Sequence, residues 1–152
     1  MKPNDFLKMT KAYADTIAKA ATSSVVVGLP QSQGTKAYKN GVSVLQVGAW
    51  HEFGTQHIDR RSFLRTPFAI KKKEMNAAID NQFKTFLIPS ADVDKSLGLI
   101  GVTALNISRG AFTTMGYGQW PDISQATKTA KGKSQPLINT GLLRGSLTFE
   151  VR

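Results

Sequence analysis

The sequence predicts an α+β fold in which a small antiparallel or mixed β-sheet packs against two or three helices. One observation is an apolar stripe between residues 93 and 111 whose spacing alternates between four and three, as on a helix with one buried face. Another is a pair of short β-type segments near opposite ends of the chain. At 152 residues the chain fits a single domain over 1–152.

The N-terminal region begins with a predicted helix over residues 4–21, capped by Asn4. Its apolar residues form a loose stripe, namely Phe6, Leu7, Met9, Tyr13 and Ile17. The β-branched run at 25–27 predicts a strand that stops before Pro30. Residues 31–40 are mostly polar and contain Gly34, which predicts a flexible loop.

A second helix is predicted between Ser43 and Gly54, with signals at both ends. Ser43 and Gln46 have the spacing of a capping box, and Gly54 stands where a left-handed residue often ends a helix. The segment after Gly54 has no helical period, so we expect extended chain and a strand near residue 60.

Two further helices are predicted in the middle of the chain. Thr66 as N-cap and Pro67 at the first position favour one that ends before Pro89. Its apolar face consists of Phe68, Met75, Ile79, Phe83 and Phe86. The other starts near Asp92 and carries the regular stripe of Val93, Leu97, Ile100, Ala104, Ile107 and Ala111.

The C-terminal part is predicted to combine a long loop with a final strand. Residues 117–135 are rich in glycine and polar residues and predict a flexible loop. Thr140 can cap a short helical turn after it. In the last segment three apolar residues alternate with polar ones, namely Leu147, Phe149 and Val151. This strand has its simplest partner in the first strand.

Composition limits the classes of protein that fit. The chain has no cysteine, which excludes disulfides and thiolate chemistry. Its N-terminus lacks the apolar core of a signal peptide, and no run reaches the roughly 18 apolar residues of a membrane span. We therefore expect a cytoplasmic protein, unless it leaves the cell as part of a particle. The net charge of +10 indicates an anionic partner or a basic face in an assembly, with solvated lysines as the alternative.

No catalytic or metal-binding pattern is recognisable. His51 and Glu52 resemble part of a zinc-protease helix, but such a helix needs a second histidine four residues on, where Thr55 stands. His57 lies beyond Gly54, where the helix is predicted to end. Nucleophile motifs, paired carboxylates and a phosphate-binding loop are also missing from the sequence. We expect a protein that is not an enzyme and that needs no metal or cofactor.

Binding of nucleic acid is an alternative that the basic residues keep open. Two basic clusters stand out among the cations, one formed by Arg60, Arg61, Arg65 and Lys71–Lys73 and the other by Lys128, Lys131 and Lys133. Phe63 and Trp120 stand near them in sequence, and basic residues beside aromatic ones can hold phosphates and stack bases. The same phenylalanine can equally belong to the core, and no known nucleic-acid-binding motif is present.

Two stretches together resemble a family of bacteriophage proteins. The first is "HEFGT" at 51–55 followed by "IDRRSFLR" at 58–65; the second runs from Thr127 through "PLINTGLLRGSL" at 136–147 to Val151. The chain is similar over about residues 24–152 to tail-completion and head–tail joining proteins, of the HK97 gp10-like and Mu gpG-like virion morphogenesis type. Their pattern is "hEFGT", then "I-P-x-R-P-F-L-R", a long helix, and a closing "PLIDTG".

The chain departs from this family pattern at three positions. Asp59 and Ser62 stand where the family loop has prolines, so we expect a less rigid loop. Asn139 replaces the usual aspartate before Thr-Gly, which keeps side-chain hydrogen bonding near the turn and loses a charge.

The resemblance implies a structural virion protein of the neck or tail top. It implies a homo-oligomeric ring, a hexamer, that joins tail to capsid, contacts neighbouring neck and tail proteins and lets DNA pass through its lumen. Assembly would take place in the host cytoplasm, without a membrane. The loops 31–40 and 117–135 would make contacts between subunits or rings, with plain solvated loops as the alternative.

Specific residues follow from the motifs. Glu52 is expected to pair with an arginine of the 60–65 loop, the alternative being an ordinary exposed acid at a helix end. The packing or assembly residues are expected to be Glu52, Phe53, Gly54, Phe63, Leu64, Phe68, Thr140 and Gly141. The candidate contacts to DNA or to other subunits are Arg60, Arg61, Arg65, Lys128, Lys131 and Lys133.

Overall fold

A computed structural model describes residues 3–132, 136–137 and 140–152. Two short strands enclose a series of helices along the chain. In order, the elements are α1 (Pro3–Thr22), β1 (Val25–Gly28), α2 (Gln31–Gly34), α3 (Val44–Phe53), α4 (Arg65–Ile70), α5 (Lys72–Phe83), a 3-10 turn (Lys84–Leu87), α6 (Val93–Thr113), α7 (Gln125–Lys131), α8 (Leu142–Ser146) and β2 (Thr148–Val151).

The strands β1 and β2 form a two-stranded antiparallel sheet. Ser24 and Arg152 exchange both backbone hydrogen bonds just outside it, at N–O distances of 2.6 and 2.9 Å. The first and last strands of the chain therefore pair as expected, and the predicted α+β class is confirmed.

The chain divides into two compact units built from alternating segments. Unit 1 comprises Met1–Val26, Lys73–Thr103 and Phe149–Arg152, and unit 2 comprises Val27–Lys72 and Ala104–Thr148. Since each unit takes its residues from separate stretches, neither corresponds to one continuous half of the sequence. The expectation of one domain over 1–152 stays a prediction.

Unit 1 has a small core formed mainly by the first half of α6. Its buried apolar side chains are Phe86, Val93, Leu97 and Ile100. Ala20, Val25 and Val151 pack against them, which brings α1 and both strands to the same core. The ring of Phe149 lies against Gly101, where a Cβ atom would have no room.

Unit 2 has the larger core, which combines residues from distant parts of the sequence. Its buried members are Val44, Phe63, Ala111, Phe112, Trp120, Leu143 and Leu147. The ring of Phe112 lies between those of Phe63 and Trp120, with centroid distances of 5.5 and 5.6 Å. Offset and edge contacts of this kind add to the stabilisation from burial.

The helix predictions are confirmed where apolar periodicity was regular. All six residues of the α6 stripe are buried. The predicted helix from Thr66 to before Pro89 instead begins at Arg65 and is interrupted at Lys71, whose backbone leaves the helical region. Pro67 lies one turn inside α4 and not at its first position. In α1 the helix already includes Asn4, so the prediction that this residue is its cap is wrong.

Three loop or strand predictions need correction. Residues 55–64 form no strand, because their backbone groups bond to a turn, to α3 and to the Glu52 side chain. Residues 31–40 include α2 and a bridge from Ala37 to Ser43. Residues 117–135 include α7, which Ser124 caps by accepting from the Thr127 amide and which ends at the left-handed Gly132. Residues 133–135 lie outside the described part.

Candidate structural joint around Glu52

Helix α3 places Glu52 in its last turn. The helix starts with the predicted capping box: the Gln46 amide donates to Ser43 Oγ, and the Ser43 amide donates to Gln46 Oε1. It ends at Gly54, whose φ of 78° favours glycine. A Cβ there would lie 3.2 Å from Arg60 Cβ, so a glycine also lets the chain fold back closely. Both predicted helix ends are confirmed.

The Glu52 carboxylate binds the returning chain through several hydrogen bonds. Oε2 accepts from the amides of Phe63 at 2.8 Å and Leu64 at 3.0 Å. Oε1 accepts from Ser62 Oγ at 2.8 Å and from the Arg65 amide and Nε at 3.1 Å each. Because these amides lead into α4, one buried carboxylate caps a helix that follows it in sequence.

Glu52 is only 5% exposed, and its partners keep it ionised. Burial alone raises the pKa of this carboxyl, but hydrogen bonds from Arg65, Ser62 and Leu64 outweigh burial and lower the pKa below its ordinary value of 4.5. The predicted pairing of Glu52 with an arginine of the 60–65 loop is confirmed, with Arg65 as the partner. The alternative of an exposed acid at a helix end is wrong.

Ser62 links Glu52 to α4 and to the segment after α6 through hydrogen bonds. Its hydroxyl donates to Glu52 and accepts from the Thr66 amide at 3.0 Å. Its carbonyl accepts from Trp120 Nε1 at 2.9 Å. Thr66 is therefore not the N-cap; Ser62 and Glu52 together satisfy the amides at the start of α4. Ser62 stands where the phage family that the sequence resembles has proline. In this chain hydrogen bonds hold the backbone at that position.

Arg61 is a structural tether and not a surface cation. It is only 6% exposed, and its guanidinium donates to the carbonyls of Pro121 at 3.0 Å and Asp122 at 2.9 Å. Asp59 lies 3.4 Å from the same guanidinium. The Arg61 side chain is bound inside unit 2, and its predicted contact with DNA or another subunit stays a prediction.

Both motif stretches contribute to the same core and the same groove in unit 2. Phe63 from the first stretch and Leu143 from the second belong to one buried cluster. An open groove of about 710 Å³ is lined by His51, Ile58, Asp59 and Arg61 from the first stretch and by Thr127, Leu137, Thr140 and Leu143 from the second. Stretches separated by more than 60 residues thus form one structural region.

The predicted packing residues fall into three groups. Phe63 is buried and Leu64 packs on the same cluster, as expected. Phe68 is half-buried and lies outside that cluster. Phe53 is 65% exposed and lies outside the core, so its predicted role in packing or assembly stays a prediction. Its ring instead carries the Arg65 guanidinium, 4.5 Å from the ring centre.

Thr140 and Gly141 form the start of α8. Thr140 Oγ1 accepts from the Leu142 amide at 3.3 Å, but the N-cap residue of α8 is Gly141 and not Thr140. Gly141 adopts a left-handed conformation with φ of 76°. This turn brings Leu143 into the core of unit 2.

The other predicted basic and stacking residues differ in accessibility. Arg60 is exposed, whereas Lys128 pairs with Asp122 at 2.5 Å and lowers the pKa of that carboxyl. Phe63 and Trp120 are buried in the core, so they cannot stack on bases. The Lys131 side chain and all of Lys133 lie outside the described part of the chain.

The structural roles of Ser62, Trp120 and Ser108 were not found from the sequence. Ser108 Oγ donates to the Phe63 carbonyl at 2.7 Å from a fully buried position on α6. Its place among the apolar residues of that helix was the only available signal, since a polar group there needs a partner.

The described residues contain neither a metal-binding cluster nor a membrane-spanning helix, and the chain has no match among known proteins. Within the described residues, no cluster of three or more histidine, cysteine or acidic side chains could hold a metal ion. No helix in the same residues is long and apolar enough to cross a membrane. No family model, curated protein sequence or solved structure matches the chain. What the resemblance implies about function therefore stays a prediction.

Proposed function

We propose that the chain is a structural subunit of a bacteriophage particle that assembles as a ring at the neck or tail top and joins tail to capsid. The observation that carries the proposal is the meeting of both motif stretches in unit 2. Phe63 and Leu143 share its core, and residues of both stretches line its groove. Residues that resemble one family at two distant places therefore act together in one folded region.

The use of Glu52 supports a structural role for the motif. Five donors surround its two carboxylate oxygens, and all of them belong to residues 62–65. A carboxylate so fully occupied and kept ionised is poorly suited to exchange protons with a substrate. It is well suited to fix the direction in which the chain leaves α3 and enters α4.

The surface beside the joint supports contact with another protein. An apolar groove of about 250 Å³ lies between Leu45, Phe53 and Arg65. Leu45 and Phe53 are exposed, and Arg65 lies over the phenylalanine ring. Aromatic residues and arginine are enriched in protein interfaces, so this groove is the part of unit 2 that we assign to the neighbouring subunit.

The alternative of a nucleic-acid-binding protein has less support from the geometry. The two aromatic side chains proposed for stacking are buried, and Arg61 is bound to backbone carbonyls. Arg60 and Lys72 are exposed. In a ring they could contact the phosphates of DNA in the lumen without recognising its bases. This contact is part of the ring proposal and does not require a separate function.

Deletion of the gene from the phage that encodes the chain tests the proposal. Electron microscopy of the lysate should show filled heads beside free tails, and the wild-type gene supplied in trans should restore joined particles. Joined, infectious particles in the absence of the chain would overturn the proposal. Native mass spectrometry of particle necks would report the ring order, for which we expect a hexamer.

A paired set of variants separates the nucleic-acid alternative. The test variant carries Arg60→Gln and Lys72→Gln, and the control carries Lys36→Gln and Lys39→Gln at other exposed positions. If DNA binding is the function, only the test variant should lose affinity for DNA. The slope of the logarithm of its binding constant against the logarithm of the salt concentration should then become shallower by about two. Normal particle joining by the test variant would show that these two cations are dispensable for assembly.

A further inference from the structure

Unit 1 leaves an unusually large amount of apolar surface uncovered. Ten of the fourteen exposed large apolar side chains of the described chain belong to unit 1, whose buried apolar cluster has only four members. Soluble monomers rarely expose large contiguous apolar patches, and such patches commonly mark interfaces. The most extended one follows α1.

Helix α1 carries a seam without charges along its exposed side. Phe6, Thr10, Tyr13 and Ile17 are separated by four, three and four residues, the spacing that keeps side chains on one stripe facing a second helix. Phe6, Thr10 and Ile17 are exposed and Tyr13 is half-buried. The charged residues Lys8 and Asp15 fall on the opposite side of the helix.

The Thr10 hydroxyl in the middle of the seam is already satisfied. Thr10 Oγ1 lies 3.1 Å from the carbonyl of Phe6 and 2.9 Å from that of Leu7, within its own helix. Its hydroxyl therefore needs no partner across an interface, and its methyl group can pack. Burying this position does not leave a buried donor unsatisfied.

Neighbouring residues enlarge the seam to the size of a specific interface. Helix α1 packs against the 3-10 turn, and Phe83, Leu87 and Ile88 around that turn are also exposed. Together with Phe6, Leu7, Met9 and Ile17, these side chains are between 41% and 65% exposed. They present roughly 400–500 Å² of apolar surface. A standard interface buries about 800 Å² per partner, a little over half of it apolar, so the areas agree.

We propose that two copies of the chain associate through the α1 seam, with the two helices antiparallel. In that arrangement Phe6 of one copy lies opposite Ile17 of the other, and Thr10 lies opposite Tyr13. Each seam position then has a partner, because the seam is self-complementary about a twofold axis. The opposed direction of the helices also brings unlike ends of the two macrodipoles together.

This association is distinct from the ring contacts assigned to unit 2. A twofold contact closes after two copies, whereas a ring needs a head-to-tail contact. The proposal concerns the purified protein in solution, so it can fail while the virion role stands, and the reverse also holds.

Sedimentation equilibrium near 0.15 M salt tests the pairing with two matched double variants. The test variant carries Phe6→Gln and Ile17→Gln, and the control carries Lys8→Gln and Asp15→Gln, which introduces the same residues and leaves the net charge unchanged. We expect the wild type and the control to associate through this contact. The test variant should raise the dissociation constant at least about 100-fold, since two large apolar side chains of each seam are removed.

Cross-linking gives an answer that does not depend on the stability of the test variant. The chain has no cysteine, so one introduced cysteine reports on one position. Thr10→Cys should form a covalent dimer with a short bis-maleimide, and Lys8→Cys on the opposite side should not.

Three results would overturn the proposal. The first is a wild-type protein that stays monomeric at a protein concentration on the order of 100 µM. The second is equal cross-linking at both cysteines. The third is association that the test variant leaves unchanged. Loss in the test variant of binding to anionic lipid vesicles, without any protein dimer, would assign the seam to a membrane surface instead.

Discussion

Replacing Glu52 by glutamine keeps the side-chain volume but removes the charge and turns one acceptor atom into a donor. Oε2 accepts from two backbone amides, and Oε1 accepts from one amide, one hydroxyl and one guanidinium nitrogen. Wherever the glutamine NH₂ group lies, at least two donors lose their acceptor. The carboxamide cannot restore them by rotating, because both oxygens are used.

The expected loss of stability follows from the number of orphaned donors. A buried donor left without an acceptor costs about 1–3 kcal/mol, so the loss of at least two acceptors costs about 2–6 kcal/mol. The ion pair itself adds little, since the side chain of Arg65 is 59% exposed and solvent screens it. We expect Glu52→Gln to lower the free energy of unfolding by about 3–5 kcal/mol, and Tm by roughly 10 °C.

Urea denaturation followed by circular dichroism measures this difference. Glu150→Gln is the matched control, because Glu150 also pairs with an arginine, Arg152, but at the surface. Its loss should stay below about 0.5 kcal/mol. A loss below about 1 kcal/mol for Glu52→Gln would refute the conclusion that the carboxylate holds α3 and α4 together.

The remaining predictions concern acid stability, the Arg61 tether and two glycines. Since the pKa of Glu52 is lowered in the folded state, its contribution is complete above pH 4.5 and lost as the pH falls through the folded pKa. The difference between wild type and Glu52→Gln should therefore narrow below pH 4.5, and a constant difference would contradict this. Arg61→Ala should cost about 2–3 kcal/mol in the same urea assay without changing DNA affinity, because its guanidinium serves two carbonyls. Gly101→Ala should destabilise by about 1–3 kcal/mol, since its Cβ would lie 2.3 Å from Cδ2 of the Phe149 ring, whereas Gly98→Ala in the same helix has open space and should stabilise by up to about 1 kcal/mol; equal signs would contradict this.

Local signals in the sequence predicted the helices well. The α6 stripe follows from periodicity, because one face of a long helix must be buried over its length. The ends of α3 follow from Ser43, Gln46 and Gly54, whose interactions stay within a few residues. The terminal strands paired as predicted because each is a β-type segment that needs a partner.

The joint itself depends on contacts that local patterns do not contain. Glu52 gains its burial and its hydrogen bonds from residues ten to thirteen positions later, so its own helix position gave no sign of them. The strand expected near residue 60 was wrong for the same reason: side-chain groups satisfy its amides. Arg61 looked like a surface cation because its acceptors, the carbonyls of Pro121 and Asp122, are about 60 residues away.

Periodicity in the sequence also does not show which apolar residues the folded chain leaves exposed. The stripe on α1 was predicted correctly as a stripe, but periodicity does not tell whether the chain itself covers it. Phe53 and Phe63 looked equivalent in the motif, yet one is exposed beneath Arg65 and the other is buried in unit 2. Only the folded chain separates core residues from residues left for a partner.

The position of the chain in intact phage particles tests the central claim most directly. Antibodies raised against the purified protein and visualised with gold in the electron microscope would locate it. We predict label at the junction of head and tail, at one site per particle, and none along the tail. Label spread over the tail or the capsid, or purified infectious particles that lack the chain, would contradict the proposed role.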